Sequence, residues 1–416
     1  MQYGLIGASL KHSFSKEIHS FMGDYAYELC ELATKEDFDA FMTKRDFKGI
    51  NVTIPYKQDV IPYCDELSQE ARKIGAVNTI VNKNGKLIGY NTDFYGFEML
   101  AQNINVDFKD KIVMLLGTGG TQKTASAVAA AHSAKEQILV SRRKSDNAIT
   151  YEEALQRTDT QIIINTSPVG MYPNNNALPI DLSAFPNLQA VLDVVYNPLE
   201  TNLVAMARKL GINSSNGLLM LSAQAKAAAE LFCDTIIDDS CITKAQRTLK
   251  KRLCNIVLIG MPSCGKSTIG KKLAIQLNKT FIDTDALIEK AAAKSIKDIF
   301  AQDDEQVFRK LEAEIIEKAS AKTNCVISTG GGCILNGNNI KALRQNGIII
   351  YIKRPLSFLD IGGARPLSSS EEALAKLYEQ RAPLYSEAAD LSIGNTKSIE
   401  DVIINIKENI DEALNN

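Results

Sequence analysis

Short, β-branched apolar runs alternate with amphipathic stretches of helical period along most of this chain. A first set comprises IVMLLG (112–117), QILVSR (137–142), IIINTS (162–167) and AVLDVVY (190–196); a second comprises NIVLIG (255–260), TFID (280–283), CVISTG (325–330) and IIIYIK (348–353). Consecutive apolar positions of this length suit strands buried on both faces, and the helical stretches between them suit crossovers. The pattern therefore predicts an α/β fold with parallel sheets. In each set a glycine-rich turn follows the first run. Between the sets, DDSCITKAQRTLKKRL (238–253) is polar and holds no strand, which places a domain boundary near residue 248. The basic positions there read as the solvated face of a helix. The tail from 398 reads as one amphipathic helix.

Composition narrows the classes. A chain of 416 residues has room for two or three domains. A formal net charge of -2 offers no broad positive field for nucleic acid. Eight cysteines without a CxxC pair, and only three histidines, give zinc little to bind. The start MQYGLIGASLKHS reads as a strand and a polar loop rather than a signal peptide, and no apolar run reaches membrane-spanning length. These features lead us to expect a cytoplasmic protein with free thiols and no obligate protein, nucleic-acid or membrane partner.

The sharpest local motif is GMPSCGKS at 260–267, which satisfies G-x-x-x-x-G-K-[ST] between a strand and a helix. Gly260 and Gly265 let the loop aim backbone N–H groups at phosphate oxygens, and the helix adds the positive end of its dipole. Lys266 can reach the terminal phosphates, Ser267 can offer a hydroxyl to Mg²⁺, and Thr268 continues the nucleotide-binding turn. The next strand ends in Asp283-Thr284-Asp285, where one carboxylate could join the Mg²⁺ shell and the other orient an acceptor hydroxyl. Phe308-Arg309 on a helix, Gly330-Gly331-Gly332 after a strand, Arg365-Pro366-Leu367 in a loop and Arg381 on a helix follow.

In this order and spacing the set resembles the shikimate kinase family over about 255–411. The resemblance implies ATP and Mg²⁺, with Asp283 organising the metal, Asp285 contacting the acceptor hydroxyls and Arg309 and Arg381 clamping the carboxylate of shikimate. Gly331 and Gly332 would let the substrate approach backbone, and Arg365 would close over the transferring phosphate. The segment between Lys353 and Ser368 is shorter than the family's usual lid, and residues 355–364 contain no basic side chain.

The first set carries GTGGT at 117–121 after IVMLL, a dinucleotide-type turn in which Gln122 stands where a third glycine is usual. The following strand ends in Ser141-Arg142-Arg143-Lys144, with no acid for ribose hydroxyls. Adjacent arginines favour a 2′-phosphate, hence NADP(H). Upstream lie Ser13 and Ser15 on one loop, NVTIPYK (51–57), GAVNT (75–79) and NTD-x-x-G from Asn91; downstream lie NTSPVGM (165–171), D-x-x-YNP-x-x-T (193–201) and GLLMLSAQA (217–225). This set resembles the shikimate dehydrogenase family over about 1–245. By that resemblance Lys57 and Asp93 are the catalytic pair, with lysine as proton donor. Ser13, Ser15, Thr53, Asn78 and Gln224 would bind the substrate, and Tyr196 would position it. Gly117, Gly119, Gly120, Arg142, Thr166, Ser167 and Gly217 would belong to the cofactor side. The implied layout is a substrate module (1–95 and 217–245) and a Rossmann-like NADP module (96–216), followed by a P-loop kinase domain with a parallel sheet (249–416).

The expected activity is reduction of 3-dehydroshikimate with NADPH, then phosphorylation of shikimate with MgATP. The rival reading is a quinate/shikimate dehydrogenase fused to a kinase of another small polyol.

Overall fold

The computed structural model describes residues 1–11, 13–302, 304–359 and 370–415. It divides into two compact units, residues 1–196 with 201–248, and residues 197–200 with 249–416.

The first unit holds two sheets among its described residues. One runs in the order β2 (Tyr27–Glu31), β1 (Tyr3–Gly7), β3 (Gly49–Val52), β5 (Thr79–Lys83), β6 (Lys86–Tyr90), β4 (Glu66–Leu67). It departs from the expected parallel pattern: β3 pairs antiparallel with β5, and β5 antiparallel with β6. The cause is local. Only Asn84 and Gly85 join β5 to β6, both with positive φ, and a two-residue loop of that kind closes a hairpin.

The second sheet, in the order β11 (Asn213–Ser215), β10 (Ala190–Asp193), β9 (Ile162–Asn165), β7 (Ile112–Leu116), β8 (Glu136–Val140), is parallel throughout. All five positions of β7 are buried, as a strand covered by helices on both faces requires. Because β8 and β9 lie on opposite sides of β7, the connections diverge at its C-terminal end. That is where open α/β sheets bind ligands.

The second unit repeats this logic with β13 (Thr280–Asp283), β14 (Cys325–Ser328), β12 (Asn255–Ile259), β15 (Gly347–Lys353) and β16 (Leu391–Gly394), again all parallel. β12 is buried at every position and lies between β14 and β15, so its exit turn is also at a switch point. Ile256, Val257, Leu258 and Ile259, each within 0% exposure, centre the core here. Burial of one such side chain contributes about 1.5–3 kcal/mol.

Two contacts fix the functional segments of the first unit. Helix Asp93–Asn103 packs on helix Leu218–Cys233. Their close crossing depends on Gly96, where a Cβ would fall 2.7 Å from Met220 O and 3.0 Å from Gln224 Cβ. At the end of β10, fully buried Asp193 accepts hydrogen bonds from Asn165 Nδ2 (3.0 Å), Val195 N (3.0 Å) and Thr201 Oγ1 (2.7 Å). Burial nevertheless dominates and pushes its carboxyl up to about 6.

A raised carboxyl pKa means that the folded chain binds the proton more tightly than the unfolded one. Stability from this group is therefore present below about pH 4 and lost as pH rises through about 6. Asp193→Asn is expected to flatten that slope, worth about 3 kcal/mol over the window. Asp193→Ala, which strands three buried donors, should cost about 1–3 kcal/mol or more. Calorimetry of the full chain at pH 4.5, 5.5 and 7 checks both.

Candidate active sites

Lys57 lies in the turn after β3, where its carbonyl accepts from Val77 N at 2.8 Å and anchors the backbone. Its Nζ donates to Asp93 Oδ2 at 2.6 Å, and the two side chains are 26% and 15% exposed. Asp93 opens helix Asp93–Asn103, so its carboxylate sits at the positive end of the helix dipole. An ammonium held this way is a fixed proton donor with an open path to a ligand.

The pair faces a cavity of about 740 Å³ that is also lined by Ser13, Ser15, Thr53, Asn78, Tyr196, Gln224, Gly120 and Gly217. Asn78 is buried and locked: its Oδ1 accepts from Thr92 N (2.7 Å) and Thr79 Oγ1 (3.0 Å), and its Nδ2 donates to Thr92 Oγ1 (3.1 Å). Gln224 Nε2 donates to Leu221 O at 3.0 Å. Tyr196 packs edge-on to Phe14, ring centroids 6.3 Å apart.

Sequence reasoning missed Asn51 and Asn91, which line the same cavity. Asn51 accepts from Tyr27 OH at 2.7 Å and donates to Thr79 Oγ1 at 3.0 Å. Tyr27 in turn stacks on buried His19, centroids 3.9 Å apart, whose pKa burial lowers to about 3. A neutral aromatic layer thus backs a chain of amides and hydroxyls. Asn91 Nδ2 donates to Ala76 O at 2.9 Å, and its buried Oδ1 has no partner. The available signal was a polar residue inside an apolar strand, which Asn51 is in β3.

On the dinucleotide turn, Gly117 has φ 105° and Gly119 caps helix Gly120–Ala131. No heavy atom lies within 4 Å of a Cβ built at Gly119 or Gly120, so the backbone there is open to a bulky anion. Thr166 Oγ1 donates to Leu116 O at 2.8 Å and Ser167 Oγ to Asn165 Oδ1 at 2.7 Å, which holds the end of β9 against that of β7. Lys144 is tied to Glu153, whereas exposed Arg142 and Arg143 form no ion pair among the described residues. Gly117, Gly119, Arg142, Thr166 and Ser167 are not on the wall of the substrate cavity; of the cofactor-side set, Gly120 and Gly217 are.

In the second unit the turn after β12 leads into helix Lys266–Leu277, capped by Gly265 with φ 96°. Asn395, which follows β16, donates from Nδ2 to Cys264 O at 2.8 Å and pins the turn. Lys266 Nζ donates to the carbonyls of Gly260 and Met261, both at 2.9 Å, and lies 3.7 Å from Cys264 Sγ. Sulfur is a weak acceptor, so a phosphate oxygen would readily displace that third contact. Ser267 Oγ donates to Asp283 Oδ2 at 2.6 Å, while Asp283 Oδ1 accepts from Asp285 N at 3.1 Å and caps helix Thr284–Ala292.

This hydroxyl and carboxylate are hard oxygen donors, as Mg²⁺ prefers. No group of three or more His, Cys, Asp or Glu side chains among the described residues could hold a metal alone. A cation completed by phosphate oxygens and water fits the two groups present.

A cavity of about 540 Å³ joins Gly265, Lys266, Ser267 and Thr268 to Asp285, Arg309, Gly331, Gly332 and Arg381. Arg309 donates to Glu312 Oε2 and to Glu305 Oε1, each at 2.9 Å, while its guanidinium still faces the cavity. Arg381 Nη1 donates to Gly331 O at 3.1 Å. The glycines are needed here: a Cβ at Gly330 would lie 2.5 Å from Asp285 Oδ1, and one at Gly332 would lie 2.2 Å from Arg309 Nη1. Glu312, which closes the FR-x-x-E run that begins at Phe308, is 1% exposed; burial raises its carboxyl above the ordinary range, opposed by Arg309 and Arg381. Arg365 lies outside the described residues.

Comparison with known proteins identifies relatives of both units. The family model described as shikimate dehydrogenase substrate binding domain matches residues 5–80, and that of shikimate kinase matches 262–411. A shikimate dehydrogenase (NADP(+)) of Clostridium beijerinckii is 38% identical over 254 residues, 57% of this chain and 93% of the relative. The structure of a chorismate mutase/shikimate 5-dehydrogenase fusion protein from Clostridium acetobutylicum superposes with a TM-score of 0.56 at 34% identity, covering 60% of this chain and 97% of that one. Shikimate 5-dehydrogenase from Thermus thermophilus, solved with NADP(H) and shikimate, gives 0.54 at 26% identity, covering 60% and 99%. The chain thus belongs to the shikimate dehydrogenase family, with a shikimate kinase domain following in the same polypeptide.

Proposed function

We propose that the chain is a bifunctional shikimate-pathway enzyme whose N-terminal unit reduces 3-dehydroshikimate and whose C-terminal unit phosphorylates the product. The observation that carries the reading is the Lys57–Asp93 pair at 2.6 Å, facing a cavity lined by hydroxyls and amides. NADPH supplies the hydride when bound. Lys57 gives its proton to the carbonyl oxygen that becomes the new hydroxyl, and Asp93 holds the ammonium aimed through its 2.6 Å hydrogen bond. Ser13, Ser15, Thr53, Asn78 and Gln224 hold the ring substituents, with Tyr196 against the ring. Gly117, Gly119, Gly120, Gly217, Thr166 and Ser167 form the cofactor side, and Arg142 takes the 2′-phosphate.

In the C-terminal unit, Lys266 and the N-terminal end of its helix neutralise the phosphates of ATP. Ser267 and Asp283 would hold Mg²⁺, which would supply positive charge against the phosphates when bound. Asp285 orients the acceptor hydroxyl for in-line attack, and Arg309 and Arg381 take the carboxylate through their planar forks. We assign Arg365 to the transferring phosphate on family resemblance alone.

The domain limits we propose are 1–248 and 249–416, with 96–216 as the NADP module. The alternative with quinate and another polyol kinase is not favoured, since the curated relatives at 36–38% identity are NADP(+) shikimate dehydrogenases. No helix among the described residues is long and apolar enough to cross a membrane. We place the enzyme in the cytoplasm because its eight cysteines are free, as a reducing compartment keeps them.

Purified chain given 3-dehydroshikimate, NADPH and MgATP should consume NADPH and form phosphorylated product. Lys57→Ala should slow reduction on the order of 10²–10⁴-fold while phosphorylation of added shikimate continues; Lys266→Ala should do the reverse. NADPH absorbance and phosphate transfer, followed together, report both. Loss of both activities in either well-folded variant would contradict two separate sites.

Arg142→Ala should raise the KM for NADPH roughly tenfold and leave that for NADH nearly unchanged. Steady-state kinetics with both cofactors decides, and equal effects on the two would remove Arg142 from the 2′-phosphate.

A further inference from the structure

Arg354 is the residue immediately after β15, on the same C-terminal edge of the sheet as the phosphate-binding turn. Its side chain lines the kinase cavity together with Lys266 and Ser267. Its Nη1 lies 3.9 Å from where a Cβ on Gly265 would sit, and Gly265 caps the helix that begins with Lys266. The guanidinium is therefore beside the ring of backbone N–H groups that the turn presents.

The state of its donors is the second observation. Arg354 Nε is buried without a hydrogen-bond partner, and the guanidinium makes no ion pair among the described residues. The other two arginines of the cavity are committed: Arg309 to Glu305 and Glu312, Arg381 to the Gly331 carbonyl. Buried N–H donors are rarely left unsatisfied, because the desolvation they suffer is not recovered. Here a half-buried guanidinium whose Nε has no partner borders a cavity that carries the anion-binding turn. A guanidinium remains charged at any working pH and presents a fork that matches phosphate oxygens.

The sequence supplies the third. The ten positions after Arg354 hold no basic residue, so the short segment leading toward Arg365 brings no cation of its own until that arginine.

We propose that Arg354 is a ligand of the nucleotide's phosphate chain, binding it beside the Gly265 cap and taking over the role of a cation that the short segment lacks. It acts on bound ADP and ATP alike, so it sets nucleotide affinity and leaves acceptor affinity alone. This inference rests on the reading of the 260–267 turn as the nucleotide cradle.

Isothermal titration of the full chain with MgADP, and separately with shikimate, tests it on wild type, Arg354→Ala, Arg354→Lys, Arg354→Gln and Lys266→Ala. Arg354→Ala and Arg354→Gln should weaken MgADP roughly 10- to 100-fold with shikimate affinity retained, which also reports that the unit is folded. Arg354→Lys should recover only part, because an ammonium cannot reproduce the fork. Unchanged MgADP affinity in the alanine and glutamine variants, with wild type binding, sinks the Arg354 assignment alone. Weaker shikimate binding with unchanged MgADP binding does the same and moves Arg354 to the acceptor. Wild type that fails to bind MgADP, or a Lys266→Ala variant that binds it as wild type does, sinks the cradle reading and the Arg354 assignment with it.

Discussion

A buried parallel strand that ends at a glycine turn governs both halves of this protein. β7 and β12 are buried along their whole length, so neither strand can shift without exposing its apolar side chains. The turn after each therefore starts from a point the core holds fixed, and in the second unit Asn395 pins it further. From that fixed point a helix starts, and its first N–H groups have no partner within the helix. Anion binding is the direct consequence. The helix end supplies partial positive charge that needs no counter-ion in the fold, and the switch in strand order opens a space above it.

What was legible in the sequence follows from the same constraint. β7, β9, β12, β14 and β15 were visible as apolar runs because both faces are covered. β2 was not, since three of its five positions are exposed, and neither was β16, which ends its sheet with a short run. Edge position alone does not hide a strand, since β8 and β13 also end their sheets and were legible; β2 and β16 lack a run of apolar residues. Likewise Lys57, Asp93, Lys266 and Ser267 could be found because each sits inside a local motif. The roles of Glu312, visible only as the acid of FR-x-x-E, and of Arg354 could not: one matters through a partner on its own helix and a glycine run farther along, the other through a turn 89 positions earlier. Their meaning is tertiary. The glycine of NTD-x-x-G was readable as a match but not as a cause, because the helix that crosses it at Gln224 lies more than a hundred residues downstream.

The layer behind each site differs in kind. Behind the dehydrogenase cavity the support is neutral: His19 and Tyr27 stack, and Asn51, Thr79, Asn78 and Thr92 pass hydrogen bonds toward Gln224. Behind the kinase cavity the support is ionic, with Glu312 buried against Arg309. A carboxylate as buried as Glu312 is unfavourable by itself, and its raised pKa expresses that. Its presence makes sense as a device that fixes Arg309 on the wall of the cavity.

The contrast has a physical reason, given the roles proposed above. Both cavities receive the same small carboxylate, but only one must also take a nucleotide triphosphate beside it. In the dehydrogenase cavity the reacting cation is Lys57 itself, neutralised by Asp93, with exposed Lys11 as the other cationic lining residue. No further buried cation stands beside Lys57 among the residues lining this cavity, and hydroxyls and amides recognise the substrate with dipoles instead. In the kinase cavity two anions approach each other, and their repulsion is the main obstacle to reaction. Lys266, Arg309, Arg354 and Arg381 around one space oppose Asp285, Glu289 and Glu312, a balance that turns favourable only if Glu312 is spent on Arg309 and Glu289 stays solvated. One ligand is thus recognised in two ways because the charge that accompanies it differs, and the arginines are concentrated where the second anion enters.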